Sequence, residues 1–93
     1  MTVLDDDTVR AALAVDLPDW ELAGGQIRRE LTFRDFTDAF SLLTRVALVA
    51  ERRNHHPDLS CSWNRVTLAI SSHAEGGVTE QCLALARAID TRV

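Results

Sequence analysis

The chain has 93 residues, 46% apolar and 26% charged, enough to bury one core, so a single domain over residues 1–93 is expected. Its net charge of −4 and its ten basic residues, all arginine and scattered, argue against nucleic acid as a direct partner, because that binding draws on clustered cations. No apolar run approaches the roughly 20 residues of a membrane span, and MTVLDDDTVR lacks the basic and apolar parts of a signal peptide, which points to the cytoplasm with Cys61 and Cys82 as thiols.

Asp5 to Asp7 offer N-caps for a first helix over Thr8 to Val15, closed by Leu17-Pro18. Trp20-Glu21-Leu22 and Ile27 to Phe33 read as a hairpin about Gly24-Gly25, although Arg29 interrupts the apolar alternation of Ile27, Leu31 and Phe33. The clearest element is a helix from Arg34 or Asp35 to Arg52. Phe36, Phe40, Leu43, Ala47 and Ala50 form one stripe; Ala39, Leu42, Val46 and Val49 form a second beside it. Together they cover about half the circumference, wider than the roughly 100° a helix needs to lie on a sheet. A surplus of this size predicts burial against another subunit, with a helix wedged within one domain as the alternative.

Beyond Pro57, Leu59 to Trp63 and Arg65 to Ser72 read as two strands, Val66, Leu68 and Ile70 alternating with Thr67, Ala69 and Ser71. Gly76-Gly77 makes a turn. Thr79 then caps a last helix ending near Asp90, with Val78 and Leu83 placed as a hydrophobic staple. The order helix, two strands, helix, two strands, helix predicts an α+β domain with an antiparallel sheet covered on one face by helices.

Two of the three histidines stand together in Asn54-His55-His56-Pro57-Asp58, where the long helix must stop. Imidazoles at a helix C-terminus have a structural reading, since cations there complement the dipole and satisfy terminal carbonyls. Three details favour chemistry instead. Pro57 disfavours helix at His56 and so fixes an extended exit that aims the two rings differently. Glu51 lies one helical turn before His55, placed to orient it. His73 follows the last strand, just before Gly76-Gly77 and a helix N-terminus. Imidazoles with a carboxylate suit proton transfer near neutral pH. Zinc is the competing reading, with His55, His56, His73, Cys61 and Cys82 as donors, but no CxxC, HxxxH or HExxH spacing sets two ligands on one face, and no metal is expected.

The run FRDFTDAFSLLTRVALVAERRNHHPD, followed by WNRVTLAISSH, GGVTE and ARAID, resembles the pterin-4a-carbinolamine dehydratase family over about residues 20 to 90. The resemblance implies a four-stranded antiparallel sheet with three helices, assembled as a homodimer or homotetramer partly through the 35–52 helix. It implies loss of water from 4a-hydroxytetrahydrobiopterin to give quinonoid dihydropterin, recycling the pterin of aromatic amino acid hydroxylases without a metal or organic cofactor. Carried onto this chain, His55 is the acid at the hydroxyl, His56 and His73 are bases, and Glu51 orients His55. Ser71 and Ser72 offer backbone groups to the pterin edge, Pro57 shapes the wall and Trp63 supports it. Where the family usually has an aspartate nine residues after the third histidine, this chain has Cys82, at the third position of the last helix, so the fixed charge expected to act on His73 is missing. Two alternatives stand beside this reading: a non-catalytic dimerisation or binding module of the same fold, and a relative handling another pterin, as in molybdenum-cofactor metabolism.

Overall fold

A computed structural model describes residues 2–93. The elements follow the order α1 (Asp6–Asp16), β1 (Glu21–Ala23), β2 (Gln26–Thr32), α2 (Phe36–Arg53), β3 (Asp58–Ser62), β4 (Arg65–Ile70) and α3 (Glu80–Asp90). This is the expected α+β arrangement, a four-stranded antiparallel sheet with three helices. Among the described residues no helix is long and apolar enough to cross a membrane.

The strands lie in the order β1-β2-β4-β3. Strand register decides which face is covered. Ile27, Arg29 and Leu31 of β2 pair with Ile70, Leu68 and Val66 of β4, and Leu59 and Cys61 of β3 pair with the same Leu68 and Val66. Directly paired residues share a face. That face holds buried Ile27, Leu31, Val66, Leu68 and Ile70 and meets the helices, while Arg28, Glu30, Ser60 and Thr67 occupy the other. Arg29 does lie on the covered face. It is held there by Asp90 at the end of α3, with Nη1 2.6 Å from Oδ1, and by Asp19 at 3.5 Å.

The first helix starts two residues earlier than the apolar pattern predicts because Asp5 caps it, its carboxylate accepting the Thr8 N–H at 2.8 Å. Gly24 and Gly25 both have positive φ, as the tight β1–β2 turn requires. Strand β4 ends at Ile70 rather than Ser72. The Ser72 carbonyl turns to accept the N–H groups of Gly76 and Gly77, and only an isolated Ser72–Gly77 bridge continues the pairing. Trp63 belongs to the two-residue turn between β3 and β4, at φ 51°, not to β3.

On α2, Ala39, Leu42, Val46 and Val49 are buried, so the second stripe is the one that lies on the core. The first stripe divides. Leu43 and Ala50 are buried, whereas Phe36 and Phe40 are 51% and 53% exposed and Ala47 is exposed too. Leu48 adds another exposed apolar side chain to this helix.

Candidate active site

The exit from α2 is built by Asn54. Its backbone is left-handed, at φ 50° and ψ 43°. The Asn54 N–H donates to the Glu51 carbonyl at 3.2 Å and the His55 N–H to the Ala50 carbonyl at 3.1 Å, the paired bonds that close a helix whose next residue has turned left-handed. The helix therefore stops at Arg53, four positions before Pro57, and His55 leaves its axis at a fixed angle. Asparagine tolerates this conformation better than residues without a short polar side chain. Asn54→Ala is expected to cost about 1 kcal/mol in urea denaturation, and Asn54→Gly at most a few tenths.

The turn at Asn54 brings the pair to the end of β4. Asn54, His55, His56, Ser71, Ser72, His73 and Ala74 line one cleft of about 190 Å³. All three histidines meet there. A second hollow of about 390 Å³ adjoins it through His56, with Ala47, Leu48, Ala50, Glu51, Pro57 and Leu59 as its other walls.

The carboxylate of Glu51 accepts from His56, not His55: Oε1 lies 2.7 Å from His56 Nε2. The expected pairing assumes helix through His55, and the left-handed residue at 54 rotates His55 away from that line. With Nε2 engaged by Glu51, Nδ1 is the other ring nitrogen of His56. His73 Nε2 lies 4.0 Å from Asp58 Oδ1, and His73 is largely exposed at the cleft mouth.

His55 is the most enclosed of the three. Its Nε2 lies 3.4 Å from Sγ of Cys82, whose side chain is fully buried. Cys82 does occupy the third position of α3, after Thr79 at the cap, but it faces His55 rather than His73. Thr79 makes no side-chain cap bond; its hydroxyl lies 3.5 Å from the same sulfur. Burial, then the neighbouring His56 and His73, push the His55 pKa below its ordinary 6.5, and Glu75 opposes them weakly. The stability consequence has a definite sign. A folded histidine with a depressed pKa contributes fully above about pH 6.5, and the contribution is lost as pH falls through that value toward the folded one. Urea midpoints at pH 7.5 and 5.5 should differ more for the wild type than for His55→Gln.

Ser71 and Ser72 both line the cleft, but the backbone of Ser72 is committed elsewhere. Its N–H donates to the Gly77 carbonyl at 2.7 Å and its carbonyl takes two N–H groups. Its hydroxyl donates to the Glu75 carboxylate and accepts the Glu75 N–H at 3.2 Å. Ser72 thus closes the loop that carries His73, and does not present its main chain to a ligand. Pro57 walls the second hollow. Trp63 is not brought to either: it sits at the opposite end of the β3–β4 hairpin and is 68% exposed. The residues to which the sequence gives no part in the site are Asn54, Asp58, Thr79 and Glu75. An asparagine at the end of a helix with a proline shortly after it is a signal for the first of them. Among the described residues no group of three or more His, Cys, Asp or Glu is placed to hold a metal ion.

The family described as pterin 4 alpha carbinolamine dehydratase matches residues 2–92. A relative from Mycobacteroides abscessus, provisionally named a pterin-4-alpha-carbinolamine dehydratase, is 45% identical over 93 residues, all of this chain and 98% of the relative. Another with the same provisional name, from Mycobacterium sp. strain KMS, is 47% identical over 90 residues, covering 97% of this chain and 95% of its own. A crystal structure from Brucella melitensis, titled a transcriptional coactivator/pterin dehydratase, superposes with a TM-score of 0.87 at 33% identity, covering 97% of each chain. With the match running almost end to end and whole-chain identities of this size, the chain belongs to the pterin-4-alpha-carbinolamine dehydratase family.

Proposed function

We propose that the protein removes water from a 4a-hydroxytetrahydropterin, with His56 and His73 of the cleft carrying out the proton transfers and His55 holding the hydroxyl. The observation that carries this reading is the convergence of His55 and His56, from the end of α2, with His73, from the end of β4, on one cleft. The names of the relatives from Mycobacteroides and Brucella point to the same reaction.

The chemistry needs one proton removed and another supplied, at two different atoms. Hydroxide leaves C4a poorly, and its departure is driven by the electron pair at N5 as the N5 proton is taken. The C4a–O bond breaks, a C4a–N5 double bond forms, and the proton lost from N5 equals the one gained by the leaving hydroxyl. The site therefore holds the same number of protons after the step as before it, and exchange with solvent returns the acid and the base to their starting forms. His56, braced by Glu51, and His73 at the mouth are the two rings that gain and lose protons. His55 holds the hydroxyl. Its burial favours the neutral ring, which suits hydrogen bonding better than the role of charged acid that the resemblance implies.

The test is the dehydration rate of chemically generated 4a-hydroxytetrahydropterin. Turnover well above the buffer rate is expected from the wild-type chain, and a rate equal to buffer would overturn the reading. Supply of this substrate by an aromatic amino acid hydroxylase, and a cytoplasmic setting, complete the proposal.

Self-association through α2 is part of the same reading. Phe36 and Phe40, with ring centroids 5.8 Å apart, and Leu48 remain exposed on one chain, and such a helix gains by burying them against a copy. Phe40→Asp should shift sedimentation toward the monomer, and an unchanged oligomer would exclude this face as the contact.

A further inference from the structure

The link between α3 and the cleft runs through three buried or half-buried groups in sequence: Thr79 Oγ1, Cys82 Sγ and His55 Nε2, separated by 3.5 and 3.4 Å. Thr79 is 1% exposed and Cys82 is fully buried, so neither can turn to water. Its two directions are not equivalent. If the threonine hydroxyl donates to sulfur and the thiol donates to Nε2, each hydrogen has an acceptor and the neutral ring carries its own hydrogen on Nδ1. If Nε2–H donates to sulfur, one hydrogen is left without an acceptor among the described residues: the threonine's if the thiol donates to Oγ1, or the thiol's own if the threonine still donates to sulfur. A buried hydroxyl left so costs about 1–3 kcal/mol and a thiol, a weak donor, less, and the first direction alone leaves no hydrogen unsatisfied.

We infer that Cys82 is a positioning residue that fixes the tautomer of His55, its S–H donating to Nε2 so that Nδ1–H is presented to the hydroxyl of the pterin. The last clause rests on the dehydratase reading; the tautomer does not. A protonated ring would carry hydrogens on both nitrogens and leave one hydrogen of the link without an acceptor. The link therefore works with burial, His56 and His73 against protonation of His55, with Glu75 opposing them. A carboxylate in place of the thiol accepts only, so it would take Nε2–H and turn an unprotonated Nδ1 toward the cleft. The thiol and the carboxylate thus leave opposite nitrogens to the substrate.

The experiment is ¹⁵N NMR of histidine-labelled full-length protein, with kcat and KM measured on the same samples. In the wild type at pH 8, His55 should show a protonated Nδ1 and a bare Nε2. Cys82→Ser, whose hydroxyl can donate as the thiol does, should keep that pattern, and Cys82→Ala should lose the preference. Cys82→Asp should reverse it and raise the His55 titration midpoint by about one unit, with kcat down about tenfold and KM changed less than threefold. A wild-type ring protonated at Nε2, or a tautomer unchanged in Cys82→Ala, would overturn the inference. A wild type with no dehydratase activity would remove the functional reading alone, because the NMR arms decide the tautomer without it.

Discussion

Alanine in place of His56 or His73 is expected to lower kcat/KM for pterin dehydration by about 10²-fold or more, the loss typical when a positioned acid or base is removed. The elimination requires a proton to leave N5 while one reaches the hydroxyl, so losing either ring stalls one half of the exchange. His55→Ala should fall comparably, through lost grip on the hydroxyl. Glu51→Gln separates orientation from proton transfer. It keeps an acceptor oxygen 2.7 Å from His56 Nε2 but removes the charge, so a loss of about tenfold is expected, mainly in kcat. His56 and His73 are both exposed, and unchanged circular dichroism should accompany each variant. Losses below threefold in both His56→Ala and His73→Ala would leave the imidazoles without a catalytic part.

Where interactions are local, the sequence is enough to find them. Asp5 caps the residue three ahead and Gly24-Gly25 turns between adjacent strands; each is decided within a few residues and each is present, and Val78 and Leu83, on either side of a helix start, are both buried. The three histidines also sit together as the motif suggests. What the sequence misplaces depends on a single backbone conformation or on distant contacts. Helical spacing assigns Glu51 to His55, and one left-handed residue at Asn54 transfers it to His56. Strand register, Ser62 against Arg65, makes Trp63 a turn residue far from the cleft rather than part of its wall. The bond between Cys82 and His55 joins residues 27 apart in sequence, on elements whose approach only the folded sheet determines. The wide apolar face of α2 shows a different limit. Its width is legible, but the core takes the Ala39 to Val49 stripe together with Leu43 and Ala50, so the true surplus is Phe36, Phe40, Ala47 and Leu48.

Arg29 gives the largest expected effect on stability, through its partner. Asp90→Ala should cost about 2–4 kcal/mol, because it strips the close partner from a charge held under the helices. The Arg29 side chain is 14% exposed and its Nε already lacks a partner among the described residues. The same Asp90 oxygen also accepts the indole N–H of Trp20 at 2.9 Å, so one substitution orphans groups on two segments, the approach to β1 and β2 itself. For a domain of this size the thermal midpoint should fall by about 10 °C or more. Asp19→Ala is the control: that carboxylate is 68% exposed and 3.5 Å away, and its loss should cost less than about 1 kcal/mol. Arg29→Met in the Asp90→Ala background removes the stranded charge while keeping apolar volume, and should recover part of the lost stability. If Asp90→Ala costs no more than Asp19→Ala, or if Arg29→Met recovers nothing, the arginine is solvated in solution and the covered face of the sheet does not depend on its ion pair.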